Sequence, residues 1–203
     1  MTAESLTSAA AVRLNYDDYV RYTENHPDGD FELLNGVIYQ LAPEGKAHKI
    51  TRLKIDTYLH QNVDLTKYTV GSEASFPAPG WKEGPKPDNF VSLGVLELDD
   101  ENPKEPSAED MLLVIEITNS TKPDDNAQLT RKREAYARVA IPDYWLIDLI
   151  RAAVIVHRDP NGDAEKPRYR SVMTFGRTEI LSALAVDDLS VSTGMLLKLA
   201  QAQ

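Results

Sequence analysis

Apolar and polar positions along the chain change period several times, and each change marks an element. Over residues 16–24 the apolar side chains Tyr16, Tyr19 and Val20 fall on one helical face, which predicts a short amphipathic helix. The turn residues at 25–30 (Asn-His-Pro-Asp-Gly-Asp) close it. Apolar runs at 31–34 and 37–41 flank Asn35-Gly36, the two-residue turn that best suits a β-hairpin. Over 47–63 the residues Ile50, Leu53, Ile55, Tyr58, Leu59 and Val63 recur at helical spacing and predict a long helix, opened by His48. A strand is expected over 68–76, a Pro- and Gly-rich loop over 77–87, and a second strand over 87–93 with Asp88 at its mouth. Residues 97–110 are acidic and proline-bearing, and read as an exposed connector.

Residues 111–118 (Met-Leu-Leu-Val-Ile-Glu-Ile-Thr) break this routine. Strict alternation puts Leu112, Val114, Glu116 and Thr118 on one face and Met111, Leu113, Ile115 and Ile117 on the other. Both faces are apolar, as in a central strand covered on both sides. Glu116 is the exception, and a carboxylate there is costly unless a cation or hydrogen-bond donors meet it. The next pattern, over 127–140, predicts a helix with Asp124 or Asp125 as its N-cap. Its apolar stripe is Leu129, Tyr136 and Val139, and Lys132 falls on that same stripe, while Arg131, Glu134 and Arg138 lie opposite. Strands follow at 142–150, 152–157 and 168–175, with turn chemistry at 159–163, and residues 179–199 carry no clear period. The order helix, hairpin, helix, strands, helix, strands predicts an α/β fold with a mixed β-sheet core flanked by helices.

Composition narrows the class. A chain of 203 residues buries a full core as one domain, read as residues 16–203 behind a flexible N-terminus at 1–15. The absence of cysteine excludes disulfides, thiolate zinc sites and cysteine nucleophiles. No apolar run is long enough to span a membrane, and the start lacks the basic and apolar regions of a signal peptide, so a cytoplasmic protein is expected. The formal net charge of −10 argues against a protein that coats nucleic acid nonspecifically, while leaving room for a small basic cleft. Lys46, Lys49, Arg52 and Lys54 on the long helix and residues 131–133 on the later one are the basic clusters; solvated faces are their default reading.

Three features then line up: Asp88 at a strand start, Glu116 inside a later strand, and Lys132 on the helix that follows. Two carboxylates and a backbone carbonyl (Ile117 in this reading) make an oxygen-ligand site for Mg²⁺ or Mn²⁺. A lysine beside them is placed to orient or deprotonate an attacking water, or to stabilise charge on a phosphorane. Glu32, on the first hairpin strand, is a further ligand directly or through water. Taken singly, each residue has a plainer reading. Asp88 after Pro87 suits a turn, His48 suits a helix start, and Glu116 with Lys132 suits a structural ion pair.

Several segments together resemble the Uma2 family, bacterial proteins with the restriction-endonuclease-like PD-(D/E)XK fold. They are residues 31–39 (Phe-Glu-Leu-Leu-Asn-Gly-Val-Ile-Tyr), His48, Pro87-Asp88, residues 114–118, residues 132–137 (Lys-Arg-Glu-Ala-Tyr-Ala) and residues 141–148. The resemblance spans roughly 16–195. It implies an endonuclease acting on DNA, with Glu32 as the first acidic residue of the fold and Asp88 and Glu116 as its metal ligands. The lysine that this fold usually carries two residues after the glutamate is replaced by Thr118, and the resemblance implies Lys132 in its stead. Family members often carry an acid one turn before that lysine, where this chain has Gln128. By analogy a homodimer is expected, since one site cuts one strand. The alternatives are an inactive nucleic-acid- or protein-binding module of the same fold, and a purely structural pairing of Glu116 with Lys132.

Overall fold

In the computed structural model of the chain, residues 13–76, 82–95, 106–163 and 165–199 are described. Residues 1–12 of the flexible start expected at 1–15, and most of the 97–110 connector, lie outside them. Helix α1 (Tyr16–Glu24) begins at Asn15, whose side chain accepts from the Asp18 N–H while Asp18 accepts from the Asn15 N–H. This reciprocal capping box satisfies two backbone donors that a helix start otherwise leaves open. Strands β1 (Phe31–Leu34) and β2 (Val37–Gln40) form the expected hairpin, with Asn35 and Gly36 both at positive φ as such a turn requires. Tyr16, Tyr19, Phe31 and Leu33 pack α1 on this hairpin, and Leu33 bridges Gly84 of the following loop.

The main sheet has six strands in the order β3-β4-β5-β6-β7-β8: β3 (Tyr68–Gly71), β4 (Asn89–Leu93), β5 (Met111–Thr118), β6 (Asp143–Asp148), β7 (Ala153–Pro160) and β8 (Tyr169–Phe175). Every neighbouring pair is antiparallel except β5 and β6, which run parallel. A parallel pair needs a crossover, and helix α3 (Pro123–Arg138) supplies it. Helix α2 (Lys46–Asn62) and the terminal helix α4 (Thr193–Leu199) cover the opposite face. On the α2 side Ile55, Leu59, Leu113, Ile115, Ile117, Trp145 and Leu196 share one core; on the α3 side Phe90, Val114, Tyr136, Ile141 and Tyr144 share another. The sheet is thus mixed and flanked by helices on both faces. Residues 179–199 resolve into a small hairpin, β9 (Ile180–Ser182) with β10 (Ser190–Ser192), and α4.

Four expectations change. The strand expected over 68–76 stops at Gly71, because Glu73 adopts φ 52°, a left-handed turn no strand tolerates. Helix α3 begins at Pro123, not at 127, and its N-cap is Lys122; proline suits the first helical position because its missing N–H would be unbonded there. Asp124 and Asp125 sit in the first turn instead, where the helix dipole favours acids. In β5 the register jumps between Val91↔Leu113 and Ser92↔Met111, so one extra residue bulges. Leu112 therefore packs with the Leu113 core and Met111 with the Val114 core, the reverse of strict alternation.

Candidate active-site cleft

The sheet brings β4 and β5 side by side, and α2 and α3 start at the same end. Between them lies a cleft of about 230 Å³, walled by Glu44, His48, Asp88, Glu116, Ile117, Lys132 and residues of the turn after β5. Asp88, Glu116 and Lys132, far apart in sequence, meet at its floor.

Glu116 lies on the α3 side of β5 and is 2 % exposed. Its Oε1 accepts from Lys132 Nζ at 2.6 Å and from the Tyr136 hydroxyl, so both donors meet one oxygen and Oε2 takes neither. Lys132 and Tyr136 stand one turn apart, which is why a single carboxylate receives both. Lys132 also donates to the main-chain oxygen of Lys86 at 2.6 Å and lies 3.7 Å from Glu32 Oε2. Burial pushes the Glu116 carboxyl up to about 8, against the pull of Lys132. Desolvation works against the Lys132 ammonium too, but Glu116, Glu32 and Asp88 outweigh it and hold that group above the usual lysine range.

Glu32 is fully buried behind Lys132 and is not among the residues lining the cleft. Its Oε1 accepts from Gln128 Nε2 at 2.7 Å, while Oε2 has no hydrogen bond. Gln128, where the resemblance implies an acid, meets a carboxylate that a second acid would repel. Asp88 accepts from the Ile117 N–H at 2.6 Å through Oδ2. That N–H lies beyond the end of β4, where no strand neighbour reaches it. The other oxygen, Oδ1, faces His48 Nε2 at 3.0 Å.

His48 does not merely cap its helix. Its Nε2 lies between Asp88 and Glu44 Oε1, the latter at 3.3 Å. Burial opposes the imidazolium, but Asp88, with Glu44 and Glu116, holds its pKa above the ordinary histidine value. Arg52 is 5 % exposed and ties Glu44 Oε2 to Glu73, at 3.2 and 2.6 Å. It is thus no solvated base of the α2 cluster.

Glu44 and Tyr136 were absent from the sequence-based set. The signal for both was spacing. Glu44, His48 and Arg52 stand at intervals of four leading into α2, and Gln128, Lys132 and Tyr136 do the same on α3, each a polar stripe on an inward face.

A family model described as "Uma2: Putative restriction endonuclease" matches residues 16–194. Among solved structures, the chain is similar to one from Anabaena variabilis described as "a putative nuclease belonging to DUF820". The TM-score is 0.69 at 16% sequence identity, covering 92% of this chain and 99% of that one. At that identity the likeness speaks for the fold. No curated protein matches the chain.

Proposed function

The chain belongs to the Uma2 family, and from that membership and the cleft we propose a metal-dependent endonuclease that hydrolyses DNA phosphodiester bonds. One observation carries the reading: Asp88, Glu116 and Lys132 converge in an open cleft, with carboxylate oxygens left over after their internal partners are counted.

The donor set fits a hard divalent cation, Mg²⁺ or Mn²⁺, because it offers carboxylate oxygens and a main-chain carbonyl. Asp88, Glu116 and the Ile117 carbonyl would hold it. The N–H and C=O of one strand residue point to the same edge, so the Ile117 carbonyl faces the side on which Asp88 takes its N–H. Such an ion lowers the pKa of water and offsets charge on the phosphate.

The protein's own groups do the rest. Lys132, kept protonated by its acid neighbours, serves as a fixed positive charge and donor and not as a base. It orients the attacking water by donating to its oxygen and offsets charge that develops on the phosphate oxygens. The Lys86 carbonyl, Glu116 and Glu32 fix its Nζ, and Gln128 fixes Glu32. Glu32 acts through Lys132 as a positioning residue. Tyr136 holds Glu116 Oε1 and leaves Oε2 for the cation.

The test is cleavage of supercoiled plasmid and of end-labelled duplex and single-stranded DNA with Mg²⁺ or Mn²⁺. The native chain should cut, and Glu116→Gln and Lys132→Met should lose at least about a hundredfold, the scale of one lost electrostatic stabiliser. No cutting of any substrate with either metal would favour the binding-module reading, which draws on the acidic cleft wall of Asp30, Glu44, Glu73 and Asp125. A homodimer, placing one centre on each strand, belongs to this proposal and is checked by sedimentation. Among the described residues no helix is long and apolar enough to cross a membrane.

A further inference from the structure

The nuclease centre proposed above leaves Glu44 and His48 without a task. Both nonetheless face the same point as Asp88. A carboxylate oxygen of Glu44, Nε2 of His48 and a carboxylate oxygen of Asp88 all lie within 4.8 Å of one another. His48 Nε2 is 3.0 Å from Asp88 Oδ1 and 3.3 Å from Glu44 Oε1. Two ligands at right angles, each roughly 2.2 Å from an ion, are about 3.1 Å apart. The two separations are thus edge lengths of a coordination polyhedron.

Both carboxylates are also steadied from behind. Arg52 takes the far oxygen of Glu44, and the Ile117 N–H takes the far oxygen of Asp88. His48 stands in the first turn of α2. Partners of this kind orient ligands in metal sites. What remains turned inward is one oxygen from each acid and the ring nitrogen between them. That nitrogen is buried and makes no aligned hydrogen bond, although two carboxylates stand within reach. A histidine that served only to neutralise them would aim its N–H along one.

We propose that Glu44, His48 and Asp88 form a second cation position, joined to the first through Asp88, and that it takes a first-row transition ion such as Mn²⁺ in preference to Mg²⁺. The proposal rests on the nuclease reading only in sharing Asp88. The preference follows from the donor: Mg²⁺ favours oxygen and retains its waters, whereas imidazole suits transition ions. A second ion also answers the charge of the cleft. Six acidic side chains line it (Asp30, Glu44, Glu73, Asp88, Glu116 and Asp125) against Lys86, Lys132 and His48, with Arg52 behind Glu44 and Glu73, and a phosphate backbone entering there meets net repulsion unless cations precede it.

The test counts bound Mn²⁺ by electron paramagnetic resonance and calorimetry on the full chain, for the native protein and for His48→Gln, Glu44→Gln and Glu116→Gln. Two equivalents are expected in the native chain. His48→Gln and Glu44→Gln should each keep one and weaken the other by at least about tenfold. Excess Mg²⁺ should displace only the ion that survives in His48→Gln. A single equivalent that His48→Gln leaves unchanged overturns the second position and leaves the nuclease centre standing. Two equivalents that Glu116→Gln leaves unchanged count against the nuclease centre alone. If His48→Gln fails to fold, Glu44→Gln carries the same expectation, since Glu44 is the more exposed partner.

Discussion

Replacing Lys132 with methionine keeps most of the side-chain volume and removes one charge. Lys132 is 6 % exposed, and it faces Glu116 at 2 % and Glu32 at 0 %. Without it, no other cation among the described residues stands beside Glu116 and Glu32. Glu116 already holds a proton below about pH 8, so the cheapest substitute for the lost charge is one further proton among the remaining carboxylates. Taking a carboxyl of ordinary pKa 4.5 into its neutral form at about pH 7.5 costs 1.36 kcal/mol per pH unit, or about 4 kcal/mol. That bounds the loss from above, and it agrees with the roughly 3–5 kcal/mol seen when one partner of a buried pair is removed. The sign of the pH dependence follows. Between about pH 4.5 and 7.5 the folded variant holds one proton more than the folded native chain, while the two unfolded chains hold none there, so the difference in stability narrows as the pH falls. Urea unfolding of the native and Lys132→Met chains across this range should give a difference near 3–4 kcal/mol at the upper end. For a chain of this length that is about 6–16 °C in melting temperature. The difference should shrink by up to about 1.4 kcal/mol per pH unit toward the lower end. A difference under about 1 kcal/mol at pH 7.5, or one that does not change with pH, would refute the charge argument.

Three further predictions concern other groups. Because burial pushes Glu116 up to about 8, a cation binding there must displace a proton below that pH. Mn²⁺ affinity should rise from about pH 6 to about pH 8, with proton release seen as a dependence of the calorimetric heat on buffer ionisation; equal heats in all buffers would contradict this. Burial, with a smaller contribution from Arg133, lowers His157 from 6.5 to about 4, and its ring stacks on Tyr144 at 4.9 Å between centroids. The unfolded chain therefore binds a proton between those values that the folded chain refuses, and stability falls on acidification by at most about 3 kcal/mol. His157→Phe keeps the stack and should flatten the melting temperature over that range; an unchanged pH profile would show that His157 does not contribute. Gly71 pairs with Phe90, and a Cβ there would come 2.3 Å from the Phe90 ring. Gly71→Ala should cost about 1–3 kcal/mol in chemical denaturation, as overpacking does, and a neutral result would mean that the ring moves freely.

What the chain declares on its own is local. The Asn35-Gly36 hairpin, the period of α2 and the two-faced apolar strand at β5 depend on neighbours a few residues apart, so they are written in adjacent positions. A glutamate in that strand and a lysine on an apolar helical stripe were anomalies of the same local kind, and for that reason they stood out. The bulge in β5 depends on the partner strand β4, and no alternation rule within β5 reveals it. The end of β3 turns on the left-handed Glu73, whose side chain is drawn to Arg52 from another element. Glu44, His48 and Asp88 are ordinary surface-type residues in sequence, one in a loop, one at a helix start and one after a proline. Spacing alone puts Glu44 beside His48, but only the packing of α2 against the sheet brings Asp88 to them. Glu32 went the other way: the strand it sits on was legible, but its burial behind Lys132 depends on α3 closing over the hairpin. Periodicity acts through bonds between near neighbours, whereas a site is a meeting of distant ones, and their distances are decided by how whole elements pack.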